Sequence, residues 1–172
     1  AAAALGSGFD VATTGGAALT NLDHQLFYST GLVDPRDPSG RRGLNSFNPE
    51  SIWVNAQGRR FVREIVGSVP DFGGSVPAIL SQPQATYWSI FDARGRDKFF
   101  VSGSGWDDTN NVQREIFDNP KMARWVKQTN SIAGLAQATG LPKDALEKSV
   151  ESWNKMITAR DDTEWHRFSR SD

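Results

Sequence analysis

Residues 51–64 read Ser-Ile-Trp-Val-Asn-Ala-Gln-Gly-Arg-Arg-Phe-Val-Arg-Glu, and this stretch has the alternation of a β-hairpin. We expect Ile52 and Val54 on one face of the first strand and Trp53 on the other, because successive side chains of a strand point to opposite faces. A turn that contains glycine follows at residues 56–59, and the extended pattern then resumes. The stretch predicts a hairpin whose second face carries an exposed Trp53.

The composition indicates one soluble globular unit. The chain has 172 residues, of which 38% are hydrophobic and 23% are charged, and this length is sufficient for one full-sized core. Nineteen Lys and Arg against twenty Asp and Glu give a formal net charge of −1, which argues against nucleic acid or an anionic membrane as a partner. The absence of cysteine excludes disulfides, thiolate nucleophiles and cysteine-ligated metal sites. No apolar stretch approaches the roughly 20 residues that span a bilayer, so we expect a cytoplasmic protein.

The C-terminal third predicts two helices. Ser131 can cap a helix that ends near Gly140, and Pro142 is suited to begin a second helix. Apolar residues recur at helical spacing in the second helix, namely at Leu146, Val150, Trp153, Met156 and Ile157. Together with strand patterns at 22–28, 51–64 and 86–91, these helices predict an α+β fold with a small mixed or antiparallel sheet.

The remaining segments give weaker patterns. We expect a short helix at 9–14 and one or two helical turns at 112–117. Prolines and turn residues predict a loop from Ser29 to Glu50, and glycines and prolines predict an irregular segment from Val66 to Pro83. Within that second segment we expect only one helical turn, at 78–80.

The hairpin stretch resembles a pattern found in a family of flavoproteins. The pattern begins with an apolar residue, which is followed after one residue of any type by Val-Asn. Two residues further on comes a Gly, then either Lys or Arg, and then Arg-Phe. After two more residues the pattern ends in Glu, which is Glu64 here. It is similar to the capping-domain hairpin of the fumarate reductase and succinate dehydrogenase superfamily, which includes 3-ketosteroid dehydrogenases. A second match runs through Gly140-Leu-Pro142, Trp153-Asn154 and Asp162-Thr-Glu-Trp-His-Arg167.

A third piece, from Gly6 to Gln25, resembles the segment that leads from the FAD-binding domain of these proteins into the cap. The resemblance therefore implies a fold of the flavoprotein capping-domain type. It divides the chain into a connecting segment at 1–28, a capping or substrate domain at 29–167, and a truncated return segment at 168–172.

The resemblance also implies a cofactor and partners. FAD belongs to the full-length parent, and we expect none on this chain alone, because Gly-x-Gly-x-x-Gly between a strand and a helix is missing. The implied partners are the FAD-binding domain of the parent chain and a small-molecule substrate. This substrate is an organic compound such as a ketone. The implied function is to cap the substrate in a flavin-dependent oxidoreductase that transfers hydride, and we expect the chain alone to be inactive. An apolar face that lacks its FAD domain predicts self-association.

Two candidate sites come from the resemblance, one for the cofactor and one for the substrate. Gly6, Ser7 and Gly8 match the piece that contacts the cofactor, with Ser7 in place of an Asp. Tyr28 stands where relatives that reduce fumarate have a substrate-binding His. A phenol can donate a hydrogen bond to a carbonyl, so Tyr28 is our candidate catalytic residue, with a core tyrosine as the alternative.

The hairpin and the residues that follow it supply further candidates that face the substrate. Ser68 stands where the resemblance implies a proton-donating Arg, and a serine cannot replace a fixed cation with five donors. This disfavours a dicarboxylate substrate and favours dehydrogenation of an uncharged ketone, such as a steroid-like compound, or of a substrate that the sequence does not assign. Trp53 and Arg60 are the other candidates, and the alternative for Arg60 is a solvated hairpin face or ion pairs with Glu64 and Asp71.

Two other classes of function stay open at this point. The two histidines, His24 and His166, are far apart and lack metal-ligand spacing, so we expect no metal site. One alternative is a freestanding binding module without enzymatic activity, in which exposed Trp53 and Trp106 and the 29–50 loop recognise a small molecule or a protein. The other is a structural interaction domain.

Overall fold

The computed structural model describes residues 6–20, 31–64 and 72–168. Helices alternate there with very short strands, which confirms the predicted α+β class. The elements in chain order are α1 (Ser7–Thr14), β1 (Leu32–Val33), β2 (Gly43–Leu44), β3 (Ser46–Phe47), β4 (Ile52–Val54), α2 (Phe72–Leu80), β5 (Trp88–Ile90), α3 (Ala93–Arg96), β6 (Phe100–Val101), α4 (Thr109–Val112), α5 (Ile132–Thr139) and α6 (Lys143–Ala159). Single turns of 3₁₀ helix occupy Pro83–Ala85 and Pro120–Met122, and a π-helical turn occupies Gln113–Phe117.

The strands form three antiparallel pairs, which join β1 to β2, β3 to β6, and β4 to β5. In the last pair Ile52 lies opposite Ile90 and Val54 lies opposite Trp88. The predicted strand at 86–91 is therefore confirmed in its central residues. Its partner is the first strand of the predicted hairpin, so the sheet forms between segments far apart in sequence.

The predicted hairpin is correct in its turn and wrong in its second strand. The N–H of Asn55 donates to the carbonyl of Arg59 at 2.9 Å, and a single bridge joins Val54 to Arg60. Beyond that bridge the chain leaves β4, because the side chains of Arg60 and Glu64 enter a buried cluster near the end of α6. On this edge of β4 the backbone N–H of Trp53 donates to the side chain of Glu64 in place of a second strand, and β5 pairs with the opposite edge.

Gly58 lets the hairpin turn pack closely against α6. Its φ is +71°, and a Cβ there would lie 3.1 Å from the backbone nitrogen of Leu146 and 3.3 Å from the Cβ of Ala145. The hydroxyl of Ser149 donates to the carbonyl of Gly58 at 2.7 Å. A left-handed backbone in contact with a helix backbone needs a residue without a side chain, so glycine is required here.

Two clusters of buried apolar side chains form the core. The first lies among β2, β6 and the helical turns at 109–122, and the second joins β4 and β5 to α5 and α6. Full burial of a Leu, Ile or Val side chain stabilises the fold by about 1.5–3 kcal/mol. The first cluster consists of Leu44, Val101, Trp106, Val112, Ile116 and Met122, and the second of Ile52, Val54, Ile90, Ala136, Leu141 and Leu146.

The two C-terminal helices follow their sequence signals. The hydroxyl of Ser131 accepts the N–H of Gly134 at 3.0 Å, and α5 ends at Gly140 with φ +74°. Pro142 precedes α6, as predicted. The apolar face of α6 is confirmed for most of its length, but Ile157 is exposed near the end of the helix.

Other segments differ from their predictions. The described part of the predicted 29–50 loop contains three short strands, and Phe72–Leu80 is a helix instead of a single turn. Long-range pairing accounts for part of the first difference, since β3 pairs with β6. Helix α2 includes Pro77 and, among its described side chains, buries only Ser75. The predictions of helix at 9–14 and at 112–117 are confirmed. The predicted strand at 22–28 lies outside the described residues.

Candidate functional site

Four charged side chains form a buried ionic cluster beneath the hairpin. They are Arg60, Glu64, Asp162 and Arg167, and each is at most 7% exposed. Arg60 and Glu64 come from the end of the hairpin stretch, whereas Asp162 and Arg167 follow α6. Charged residues are rarely buried unless they are paired. The hydrogen bonds of these four side chains therefore decide whether any donor or acceptor of the cluster is left for a ligand.

Glu64 is the acceptor at the centre of the ionic cluster. Arg60 donates to both of its carboxylate oxygens, from Nε at 2.8 Å and from Nη2 at 2.7 Å. Arg167 Nη1 donates to Oε2 at 3.3 Å, and the backbone N–H of Trp53 donates to Oε1 at 3.1 Å. One carboxylate thus holds two guanidinium groups and the backbone of β4 together.

Asp162 is the second acceptor, and it also organises its own loop. Arg60 donates to Oδ2 from Nη2 at 2.8 Å and to Oδ1 from Nη1 at 3.3 Å. The backbone N–H groups of Trp165 and Arg167 donate to the same carboxylate at 3.1 and 3.4 Å. Burial acts to raise the pKa of Asp162, but the hydrogen bonds from Arg60 and the backbone outweigh it and lower the pKa below its ordinary value.

Arg60 has no donor left for a ligand. Its Nε and Nη2 are engaged by Glu64 and Asp162, and its Nη1 reaches Asp162 and the sulfur of Met156 at 3.4 Å. These contacts account for the five N–H groups of a guanidinium. Burial acts to lower the pKa of Arg60, and its two carboxylate partners raise it above the ordinary value. The ion pair between Arg60 and Glu64 is confirmed, and the solvated alternative is wrong.

Arg167 fastens the segment after α6 to the chain before β4. Its Nη1 donates to the carbonyl of Ser51 at 2.6 Å, and its Nη2 donates to the carbonyl of Pro49. The guanidinium carbons of Arg60 and Arg167 lie 4.9 and 4.6 Å from the ring centroid of Trp153 on α6. The cluster therefore joins the hairpin, the last helix and the following loop.

Sequence reasoning did not predict this assembly, although a signal for it was present. Arg60 and Glu64 are charged positions of the first family pattern, and Asp162 and Arg167 are charged positions of the second. Trp153 is an aromatic position of the second pattern. Charged positions fixed in two distant patterns indicate a pairing between them.

Trp53 is buried rather than exposed. It is 2% exposed, and its ring stacks on Tyr87 with centroids 4.4 Å apart. Phe61 lies 6.0 Å from the same tyrosine ring. Burial raises the pKa of Tyr87 to about 12, so its phenol is neutral near pH 7. The prediction of an exposed Trp53 is wrong because β5 and the residue before it cover that face of β4.

Trp106 is buried as well, at 4% exposure. The guanidinium carbon of Arg36 lies 3.9 Å from the centre of its ring, and Arg36 also donates to the buried carboxylate of Asp34. The aromatic recognition surface predicted from Trp53 and Trp106 is therefore not formed, because both rings are covered by the chain.

The backbone of the loop between β1 and β2 is held by hydrogen bonds to the carboxylate of Asp37. The carboxylate of Asp37 accepts the backbone N–H groups of Ser39, Arg41 and Arg42 at 2.8–3.0 Å, together with the hydroxyl of Ser39. These hydrogen bonds, led by that of the Ser39 hydroxyl, lower the pKa of Asp37 to about 2. The N–H groups that would otherwise attract an external anion are thus used by the chain itself.

The residues matched to a cofactor contact lie at the start of α1. Gly6 has φ +80° and precedes the helix, and Ser7 and Gly8 are in its first turn. Asp10 adds a negative charge to that turn, which disfavours a phosphate. The strands within 31–64 and 72–168 are antiparallel and two or three residues long. The described residues therefore do not fit the pyrophosphate of FAD, which requires a glycine-rich turn between a strand and a helix.

The other candidates contribute little to a site. Within residues 6–20, 31–64 and 72–168 there is no group of three His, Cys, Asp or Glu that could hold a metal ion. In the same ranges no helix has the length and apolar character needed to cross a bilayer. His166 is exposed. Tyr28, Ser68, Asp71 and His24 lie outside the described residues.

Comparison with known proteins decides the family. A family model described as FAD binding domain matches residues 1–171. The chain belongs to this family. Among members with similar sequences, the 3-oxosteroid 1-dehydrogenase of Mycobacterium tuberculosis is 27% identical over 181 residues, which cover 97% of this chain and 29% of that enzyme. The 3-oxosteroid 1-dehydrogenase of Mycolicibacterium smegmatis is 25% identical over 134 residues, which cover 70% of this chain and 21% of that enzyme.

Membership in the FAD binding domain family confirms the predicted flavoprotein and oxidoreductase relationship. The chain spans less than a third of the length of the relatives that it matches. The matching description is that of an FAD binding domain, so the narrower assignment to a cap within such a protein stays a prediction.

Proposed function

We propose that this chain is the substrate-capping part of a longer FAD-dependent oxidoreductase. The observation that carries the proposal is the ionic cluster, in which the charged positions of two distant capping-domain patterns meet. The chain belongs to the FAD binding domain family, yet its described residues do not fit the pyrophosphate of FAD. A role in covering the substrate explains both observations. FAD, bound elsewhere in the longer protein, supplies the redox chemistry, while the cap orients the substrate and excludes water.

We propose that residues 1–28 connect the cap to the FAD-binding domain, that 29–167 form the cap, and that 168–172 begin the return. Helix α1 supports the first assignment, because it has no buried residue and leaves Phe9 and Val11 55% and 74% exposed. Isolated helices shorter than about 12–15 residues are marginal in water. Helix α1 therefore needs a partner surface, and we assign that surface to the FAD-binding domain.

The proposed roles of the hairpin residues follow from burial. Arg60 uses all its donors within the chain, and Trp53 is covered by Tyr87, so we assign both to the support of the substrate site and not to direct contact. Tyr28 and Ser68 remain the proposed residues that face the substrate. Tyr28 would donate a hydrogen bond to a carbonyl of the substrate, and Ser68 leaves the site without the cation that a dicarboxylate needs.

We propose an uncharged, flat ketone of the 3-oxosteroid class as the substrate. Sequence similarity to 3-oxosteroid 1-dehydrogenases supports this class, as does the presence of Ser68 where the resemblance implies a proton-donating arginine. In the full-length protein, anaerobic reduction of the flavin by a 3-oxosteroid measures this activity directly. We expect reduction by the steroid and none by fumarate's reduced counterpart, succinate.

The two tyrosines provide a matched pair of variants for that assay. Tyr28→Phe removes the proposed hydrogen-bond donor and should slow flavin reduction by about a hundredfold. Tyr87→Phe removes the hydroxyl of a tyrosine in the aromatic packing and should leave the rate unchanged. Equal rates for Tyr28→Phe and wild type would refute the role of Tyr28, and a flavoprotein reduced by succinate but not by steroid would refute the substrate class.

A further inference from the structure

The ionic cluster joins parts of the chain that are distant in sequence. Arg60 and Asp162 are 102 residues apart, and Glu64 and Arg167 are 103 residues apart. Glu64 directly precedes residues 65–71, which include Ser68, and Arg167 directly precedes the proposed return segment. The cluster thus stands where the chain continues toward the proposed substrate contact and toward the FAD-binding domain.

The charges of the cluster balance, and each member depends on the others. Two guanidinium groups face two carboxylates, and Arg60 bonds to both acids while Glu64 bonds to both bases. Removal of any one member leaves an uncompensated buried charge, which is far more costly than the loss of an exposed pair. The four side chains therefore act as one unit.

The geometry is more directional than stability alone requires. Well-packed apolar residues often stabilise a protein as much as a buried ion pair does. A planar guanidinium group that donates two hydrogen bonds fixes the orientation of its partners. The guanidinium of Arg167 also donates hydrogen bonds to the carbonyls of Pro49 and Ser51. Such an arrangement is suited to hold segments in one relative orientation.

We infer that Arg60, Glu64, Asp162 and Arg167 are positioning residues that fix the substrate segment relative to the connection with the FAD-binding domain. This inference rests on the proposed function, because it assigns a role to Ser68 and to the return segment. Its consequence is that Glu64 and Arg167, which directly precede these two segments in the sequence, are held at one point. A disturbance of the cluster should alter how well the flavin is covered, even when the domain stays folded.

The first arm of the test uses the 172-residue chain and needs no cofactor. Arg60→Met, Asp162→Asn and the double variant form a cycle, read by urea denaturation. We expect a coupling of at least about tenfold in the unfolding equilibrium constant, as interacting residues in one network give. The exposed pair Lys155 and Glu151, substituted as Lys155→Met and Glu151→Gln, should show a coupling of at most about twofold. Additive effects at Arg60 and Asp162 would overturn the inference that the cluster acts as a unit.

The second arm uses the full-length protein with bound FAD and separates positioning from stability. Iodide quenching of flavin fluorescence reports how well the bound flavin is covered. We expect Glu64→Gln to increase the quenching constant severalfold per bound flavin, and Arg167→Lys, which keeps the charge but loses the planar guanidinium, to do the same. Arg167→Lys also serves if Glu64→Gln does not fold. The Glu151→Gln variant should behave as wild type.

The outcomes of the second arm are distinct. Lower stability or flavin content with an unchanged quenching constant would mean that the cluster only stabilises the fold, and this would overturn the positioning role. A full-length protein that binds no FAD would refute the proposed function and with it the positioning role. The coupling measured in the first arm would still decide whether the four residues act as a unit.

Discussion

Substitution of Asp162 by asparagine tests how much the ionic cluster contributes to the fold. Asp162 is 1% exposed and faces Arg60 at 2.8 Å. Asparagine keeps the shape of the side chain and one oxygen for the backbone N–H of Trp165. It removes the negative charge, so Arg60 retains Glu64 as its single carboxylate while Glu64 already serves Arg167. The cluster is then left with an excess positive charge in a buried place.

The expected loss can be worked out from these contacts. Removal of one partner from a buried ion pair destabilises a protein by about 3–5 kcal/mol. Because asparagine retains the local hydrogen bond, we expect the lower end, about 3 kcal/mol. Proteins are stable by only about 5–15 kcal/mol, so this is a large fraction of the total. For a chain of this size it corresponds to a decrease of roughly 6–12 °C in Tm.

The measurement is urea and thermal denaturation followed by tryptophan fluorescence, since the chain has six tryptophans. Glu151→Gln is the matched control, because it also removes one carboxylate from an ion pair, but an exposed one on α6. Its transition should coincide with that of wild type. If Asp162→Asn also unfolds within about 0.5 kcal/mol of wild type, the range of an ordinary surface substitution, the account of the cluster is wrong.

Three further predictions concern other parts of the chain. Gly58→Ala should lower the free energy of unfolding by about 1–3 kcal/mol in urea denaturation, because it adds both strain at positive φ and a clash with α6. Gly40→Ala is the control, since Gly40 has φ +64° but open space around it, and it should lower the free energy of unfolding by less. Equal decreases for the two variants would exclude the clash. Asp37 has a folded pKa of about 2 against an ordinary 3.8, so its contribution is complete above pH 3.8 and is lost as pH falls through about 2. Stability measured against pH should therefore show Asp37→Asn below wild type at neutral pH and a difference that shrinks toward pH 2; a constant difference would contradict the linkage. Val11→Ser should reduce the predicted self-association of the chain in sedimentation, because Val11 is the most exposed apolar side chain of α1; a wild-type chain that stays monomeric at high concentration would refute the prediction.

Local signals predicted some elements of the fold correctly. Ser131, Gly140 and Pro142 mark the ends of α5 and α6 through short-range hydrogen bonds and fixed backbone angles, which do not depend on the rest of the chain. The turn at Gly58 has a similar local origin. The helix Phe72–Leu80 was missed because its glycines and its proline oppose a helix locally.

The candidate site depended on contacts that sequence spacing does not reveal. Arg60 and Glu64 pair with each other four residues apart, but their other partners, Asp162 and Arg167, lie about a hundred residues further along the chain. Trp53 and Trp106 were expected to be exposed because they occupy a polar strand face and a polar loop. Tyr87 and Arg36 cover them, and neither residue is near its tryptophan in sequence. Burial of this kind is decided by tertiary pairing.

The most direct test of the central claim is a titration of FAD, monitored by its visible absorbance and fluorescence, into the purified 172-residue chain and into the full-length protein. The proposed capping role predicts that the chain alone leaves FAD free and that the full-length protein holds one flavin, which a 3-oxosteroid reduces. Stoichiometric binding of FAD by the chain alone would contradict the account, since it would place the cofactor site within these residues.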